Sequence, residues 1–203
     1  MIYEDLYLFD DTKRFQYGIV CGVDEAGRGP LVGPVAVAAV ILSPDSRFEW
    51  LNDSKKVSEI RRNRLYDDIS ESAIAFHIEL IDNHVIDELN ILGATMLGMK
   101  KCIEALKEKG VNCALIDGNR APESSIMSIP VIKGDSLSAS IAAASILAKV
   151  TRDRYMTKLS EEYPLYHFDQ HKGYPTKVHY EAIKKYGITP YHRLSFLKNL
   201  ENH

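Results

Sequence analysis

At 203 residues the chain suits one large domain, or one domain with a helical extension, and it can bury a full core without staples. With 45% hydrophobic and 26% charged residues the composition is that of an ordinary globular protein. A net charge of −3 gives no sign of nucleic-acid binding in bulk. Cys21, Cys102 and Cys113 are far apart, odd in number and set among apolar residues, with no CxxC or Cys/His zinc spacing. They read as small buried hydrophobes in a reducing compartment. Residues 1–14 are polar and acidic, without the basic and apolar regions of a signal peptide. No apolar run approaches a membrane span, so the cytoplasm is the expected compartment.

Taken in order, residues 17–23 and 34–42 predict two strands. The second, nearly all Val, Ala, Ile and Leu, is expected to be central and buried on both faces. Between them stands Val23-Asp24-Glu25-Ala26-Gly27-Arg28-Gly29-Pro30, read as a strand end opening into a tight loop. Neighbouring strand residues point to opposite faces, so Asp24 and Glu25 serve one site only if the chain leaves extended geometry there. Ser58 is the expected cap of a helix over about 59–70, with Arg61, Arg62 and Arg64 on its outer side. Residues 73–81 alternate strictly, Ile74, Phe76, Ile78 and Leu80 sharing one strand face.

A long helix is predicted over 84–108 from one continuous stripe: Ile86, Leu89, Leu92, Met96, Met99, Ile103 and Leu106. Asp82 or Asn83 caps it, and Gly110 follows its end. Short strands are expected at 113–116 and 129–132. A helix over about 137–161 opens with Ala139, Ser140, Ala142, Ala143, Ala144, Ser145 and Ala148, small enough to let it approach a sheet closely. Thr176 caps a last helix that Gly187 stops. The pattern predicts an α/β chain with a mixed sheet and helices on its faces. From Tyr166 to His203, six Lys/Arg face three acids and five of the seven histidines gather. That is either a partner surface or a solvated helix face; charge alone favours the latter.

Four acids share a context. Asp24, Glu25 and Asp117 follow buried strands, and Asp135 lies between a strand and a helix start. Sites in open α/β sheets collect at the carboxyl ends of strands. Without cations four gathered carboxylates repel; around Mg²⁺ or Mn²⁺ they form a hard-cation site suited to phosphodiester hydrolysis. Singly, such acids are usually caps or Asp-Gly turns. The Gly27-Arg28-Gly29 loop can cradle a phosphate, although it matches no nucleotide-binding motif and most such loops are turns. Lys55 and Lys56 suit phosphates or a solvated loop. Tyr174 suits stacking on a sugar or base, or simple packing. His167 and His171 lack a convincing helix for zinc.

The block from Asp24 to Val35 resembles the signature of the ribonuclease HII family. The match continues in order through 52–56, 116–119, 133–135, 143–153, 171–174 and 192–196, covering Gly18 to Phe196. The last blocks resemble the bacterial branch. The resemblance implies one RNase H-like domain over 1–203: a mixed sheet flanked by helices, with a helical, substrate-contacting part over about 165–203. It implies a monomeric endonuclease acting on RNA–DNA hybrids and on single ribonucleotides in duplex DNA, leaving 3′-hydroxyl and 5′-phosphate ends in support of ribonucleotide removal. Carried over, the catalytic and metal-binding carboxylates are Asp24, Glu25, Asp117 and Asp135, with Mg²⁺ or Mn²⁺ as cofactor and two ions once substrate is bound. The backbone of Gly27, Arg28 and Gly29 would sense the 2′-hydroxyl. Tyr174 would pack on the next deoxyribose, and Lys55, with Lys133 as a further candidate, would hold phosphate.

Val32 stands where alanine is commoner, His167 where glycine often stands, and Pro175 where glycine or alanine is also seen. The chain lacks room for the N-terminal substrate-binding domain of the sister ribonuclease HIII family. The rivals are a catalytically silent RNA–DNA hybrid-binding protein and a small-molecule phosphotransferase. The first requires a broken carboxylate set; the second requires a nucleotide motif.

Overall fold

The computed structural model describes residues 3–197. Lys198, Glu201 and His203, counted above in the basic tail, lie outside the described residues. Five strands form one mixed sheet in the order β3-β2-β1-β4-β5. β1 (Val20–Ala26), β2 (Val35–Ile41) and β3 (Ala75–Ile81) are an antiparallel meander. β4 (Cys113–Asp117) pairs parallel to β1, and β5 (Met127–Val131) parallel to β4. The expected mixed sheet with flanking helices is therefore present.

Strand alternation divides the core into two layers. In β2 every residue is buried. Ala36, Ala38 and Val40 pack under α4 (Ala139–Glu162), while Val37, Ala39 and Ile41 pack under α3 (Asn83–Ala105) with Met99, Cys102 and Ile103. The small residues that open α4 are fully buried, as their size predicts. The three cysteines are buried and unpaired. No helix among the described residues is long and apolar enough to cross a membrane.

Several expectations need correction. The polar N-terminus forms a helix, α1 (Glu4–Tyr17), that the sequence reading missed. It is tethered by a buried acid: Asp10 accepts from Ser138 Oγ at 2.5 Å and from Ser140 N and Oγ at 2.8 and 2.6 Å. β1 extends to Ala26, so Asp24 and Glu25 lie within the strand, paired with Ala38 and Val37. The predicted single stripe of α3 is broken at Asn90 (φ 59°, ψ 169°). The Asn90 side chain accepts from Leu92 N and Gly93 N, starting a second helical segment and leaving Leu89 39% exposed. The β3 face is half open, with Ile74 57% and Leu80 41% exposed, because β3 is the sheet edge. α2 (Glu59–Ser72) follows Ser58, whose side chain makes no capping bond. Arg62 turns inward from α2 and donates to Ser54 O at 2.9 Å and Val57 O at 2.5 Å.

Beyond α4 the chain makes α5 (Phe168–His171) and α6 (Lys177–Tyr186), the latter capped by Thr176. This helical part packs on α4 and on the loop after β1, through Leu31, Val32, Met156, Phe168 and Ile183. Its end is clamped to α3. Asn83 donates to Pro190 O and His192 O, and Asp87 accepts from Leu194 N and Ser195 N, both at 2.9 Å.

Candidate active site

The parallel pairing of β1 with β4 ends at Val23↔Ile116, while β1 continues beside β2 to Ala26. Asp24, one residue beyond that pairing, is thus level with Asp117, the last residue of β4. Asp135 arrives from a 3-10 turn (Gly134–Ser136) after β5, and its N–H donates to Asp117 Oδ1 at 3.3 Å. One carboxylate oxygen from each of Asp24, Asp117 and Asp135 lies within 4.8 Å of the others. Glu25 lies outside that trio. Its carboxylate pairs with Arg28 at 3.4 Å. All four acids nevertheless line one cavity of about 520 Å³, together with Gly27, Arg28, Gly29, Lys55 and Tyr174. Lys133 is exposed and is not part of its wall.

The electrostatics are those of anions in need of a counter-charge. Burial, then the charges of Glu25 and Asp117, hold the Asp24 pKa well above the carboxylate range. Burial also raises Glu25, against the pull of Arg28. Asp135 is raised by burial and then by Asp117 and Asp53. An all-oxygen set this close, short of positive charge, fits a hard divalent cation.

The glycine loop is held from beneath by two buried arginines that the sequence reading gave no role. Arg193 donates to Gly27 O at 2.7 Å, Arg28 O at 3.0 Å and Gly33 O at 2.9 Å. Arg152 donates to Pro34 O, Val32 O and Lys172 O, and lies 6.0 Å from the centroid of the Tyr174 ring. Gly27 has φ 95°, and a methyl there would overlap Arg152 Nε, so a side chain is excluded twice over. With the carbonyls of 27 and 28 turned to Arg193, trans peptide geometry points the N–H groups of Arg28 and Gly29 away from it.

Ser54, Ser145 and Lys149 also line the cavity and were missed. Ser145 donates to Ser54 at 2.9 Å, and Lys149 meets both Asp153 oxygens at 2.6 Å. A lysine among the small residues of α4 was the available signal. His167 stands at φ 56°, in the left-handed region that glycine adopts most readily. Val32 is fully buried, and its Cγ1 lies against Gly173, beside Tyr174.

Residues 21–199 match the family model described as Ribonuclease HII. The chain is 53% identical to a ribonuclease HII of Clostridioides difficile, over 91% of this chain and 72% of that one. It is 52% identical to a ribonuclease HII of a Shewanella species, over 92% and 91% of the two chains. Among solved structures it resembles the one described as the PCNA:RNase HII complex from Archaeoglobus fulgidus, with TM-score 0.71 and 25% identity over 90% of this chain and 96% of that one. The fold of a Pyrococcus horikoshii ribonuclease H2 also matches at TM-score 0.71, with 23% identity over 90% and 97% of the two chains. The ordered carboxylates, the glycine loop and identity of this extent along the chain have one reading: the protein belongs to the ribonuclease HII family and is a ribonuclease H.

Proposed function

We propose that the chain cleaves the RNA strand of RNA–DNA hybrids and cuts on the 5′ side of single ribonucleotides in duplex DNA, leaving 3′-hydroxyl and 5′-phosphate ends. The observation that carries this reading is the carboxylate trio, within 4.8 Å, sharing one cavity with the Gly27–Gly29 loop and Tyr174. Hydrolysis needs acids at the phosphate; selection of RNA needs a group that senses the 2′-hydroxyl.

Asp24, Asp117 and Asp135, with Glu25 beside them, would hold Mg²⁺ or Mn²⁺. Such a cation, when bound, supplies activation of the attacking water and stabilisation of the leaving oxygen. The peptide groups of Gly27–Gly29, held by Arg193, face a ribose closely because no side chain intervenes. Tyr174, 42% exposed, offers its ring to the following sugar, where an added 2′-hydroxyl would crowd it. Lys55 holds a phosphate from a loop that Arg62 pins by its carbonyls. Lys133 lies outside the cavity wall.

The test is cleavage of a labelled DNA duplex carrying one ribonucleotide, with Mg²⁺, Mn²⁺ or EDTA and an all-DNA control. The expected result is one metal-dependent cut immediately 5′ of the ribonucleotide. Binding without cleavage in either metal would favour a silent hybrid binder.

A further inference from the structure

Three histidines sit under the Tyr174 loop, outside the carboxylate site. His179 and His192 are buried, with Nε2 to Nε2 at 3.2 Å. His179 Nδ1 lies 3.0 Å from Tyr174 O, and His192 Nδ1 lies 2.9 Å from Thr189 N. The His171 ring stacks on His179 at 4.6 Å and 18°. Gly173 N donates to His171 Nδ1, and His171 Nε2 lies 2.8 Å from Tyr166 O.

Thr189 Oγ1 also lies 2.9 Å from His192 Nδ1 and can donate to it, so the backbone partners fix the proton arrangement. A backbone N–H only donates, so Nδ1 of His192 and of His171 is a lone pair and each carries its proton on Nε2. A carbonyl only accepts, so His179 carries its proton on Nδ1. His179 Nε2 is then a lone pair that accepts from His192 Nε2–H. The chain of donors runs without conflict from Thr189 through His192 and His179 to the Tyr174 carbonyl. A further proton on either member of the pair would set N–H against N–H.

We propose that His179 and His192 are positioning residues: a neutral relay that fixes the Tyr174 backbone, and with it the ring at the mouth of the site. The inference rests on Tyr174 acting at the sugar beside the cut. Burial keeps both rings neutral, pushing each pKa down to about 4. The titratable groups packed against the pair are His171 and Tyr166, the latter 5.8 Å from His192 between ring centroids. His167 and Asp169 act on His171, and the Arg193 guanidinium, next in the chain, is turned to the glycine loop. Tyr174 is tied at its other backbone atom too, its N–H donating to His171 O at 2.9 Å. The Tyr174 carbonyl also accepts from Thr176 N at 2.8 Å, so the relay adds a second, side-chain bond to a carbonyl that the turn already holds.

Two measurements decide it. Imidazole nitrogen NMR of the wild-type protein at pH 7 should show His179 as the neutral Nδ1–H tautomer and His192 and His171 as Nε2–H tautomers. A protonated pair, or His179 with its proton on Nε2, overturns the relay whatever the activity. The second is kcat/KM on a duplex with one ribonucleotide, relative to a long RNA–DNA hybrid. His179→Phe fills the ring's place but makes neither bond; the ratio should fall about tenfold. His179→Asn returns an amide N–H to the Nδ1 position and should recover most of that loss. On a Tyr174→Ala background His179→Phe should change the ratio no further. If His179→Phe matches wild type, or its loss adds in full to that of Tyr174→Ala, the positioning role fails while the nuclease reading stands. If the wild type cuts neither substrate, the nuclease reading fails and the positioning role with it.

Discussion

Gly22 in β1 and Ser140 in α4 meet backbone against backbone: a methyl on Gly22 would overlap the Ser140 carbonyl carbon and the Ile141 nitrogen. The obstruction is main chain on both sides, so no rotamer change relieves it. Gly22→Ala should cost at least ~3 kcal/mol, the upper end of core overpacking. Denaturant unfolding checks this; a loss below ~1 kcal/mol would show that α4 lifts off the sheet freely.

Asp117→Asn keeps the shape of the side chain and an oxygen able to accept from Asp135 N–H, but removes the charge at the centre of the trio. Circular dichroism and thermal unfolding should remain those of a folded protein. Cleavage of the single-ribonucleotide duplex should fall at least about a thousandfold. A variant that turns over undiminished would refute the assignment of Asp117.

Without a cation the folded state raises the pKa of Asp24, Glu25 and Asp135. Folded protein therefore binds protons more tightly than the unfolded chain. By linkage, the contribution of these groups to stability is greatest below the unfolded carboxylate pKa of about 4. It declines as pH rises through the raised folded values. In EDTA at pH 8, Asp24→Asn should raise Tm by about 2–4 °C, the shift ~1 kcal/mol gives in a chain of this size. Mg²⁺ or Mn²⁺ should raise the wild-type Tm and leave that of Asp24→Asn nearly unchanged. An equal response of both proteins to the cation removes Asp24 from the ligand set.

Asp10 ties α1 to the start of α4 by three bonds, away from the cavity. Asp10→Ala strands the buried Ser138 and Ser140 groups and should cost about 3 kcal/mol. That corresponds to a fall in Tm of about 6–12 °C. Cleavage at a temperature well below the new midpoint should be retained, since no cavity residue loses a partner. Loss of activity in protein that is still folded would place α1 in the working of the site.

Much of the site was legible before any coordinates. Asp24, Asp117 and Asp135 were each marked by a strand-end context, but the parallel pairing of β1, β4 and β5, which spacing did not show, is what brings them to one edge. Glu25 could not be placed that way. Whether it joins the trio depends on where β1 ends, and strand ends are the least legible feature of a sequence. The support beneath the loop was invisible for another reason. Arg152 and Arg193 bind carbonyls far along the chain, and a carbonyl carries no residue-specific signal.

The sequence by itself determined the layering, through the unbroken apolar run of β2 and the small residues of α4, and marked out four acids in strand-end contexts, three of which the fold gathers. Periodicity and residue size are local properties, readable along the chain. Only the tertiary structure decided that Asp10 is buried while its neighbour Asp11 is not, that Asn90 breaks α3, and that His171, His179 and His192 gather beneath Tyr174. Each of these depends on what lies opposite in space, and an isolated aspartate, asparagine or histidine is chemically the same whichever partner the fold brings to it.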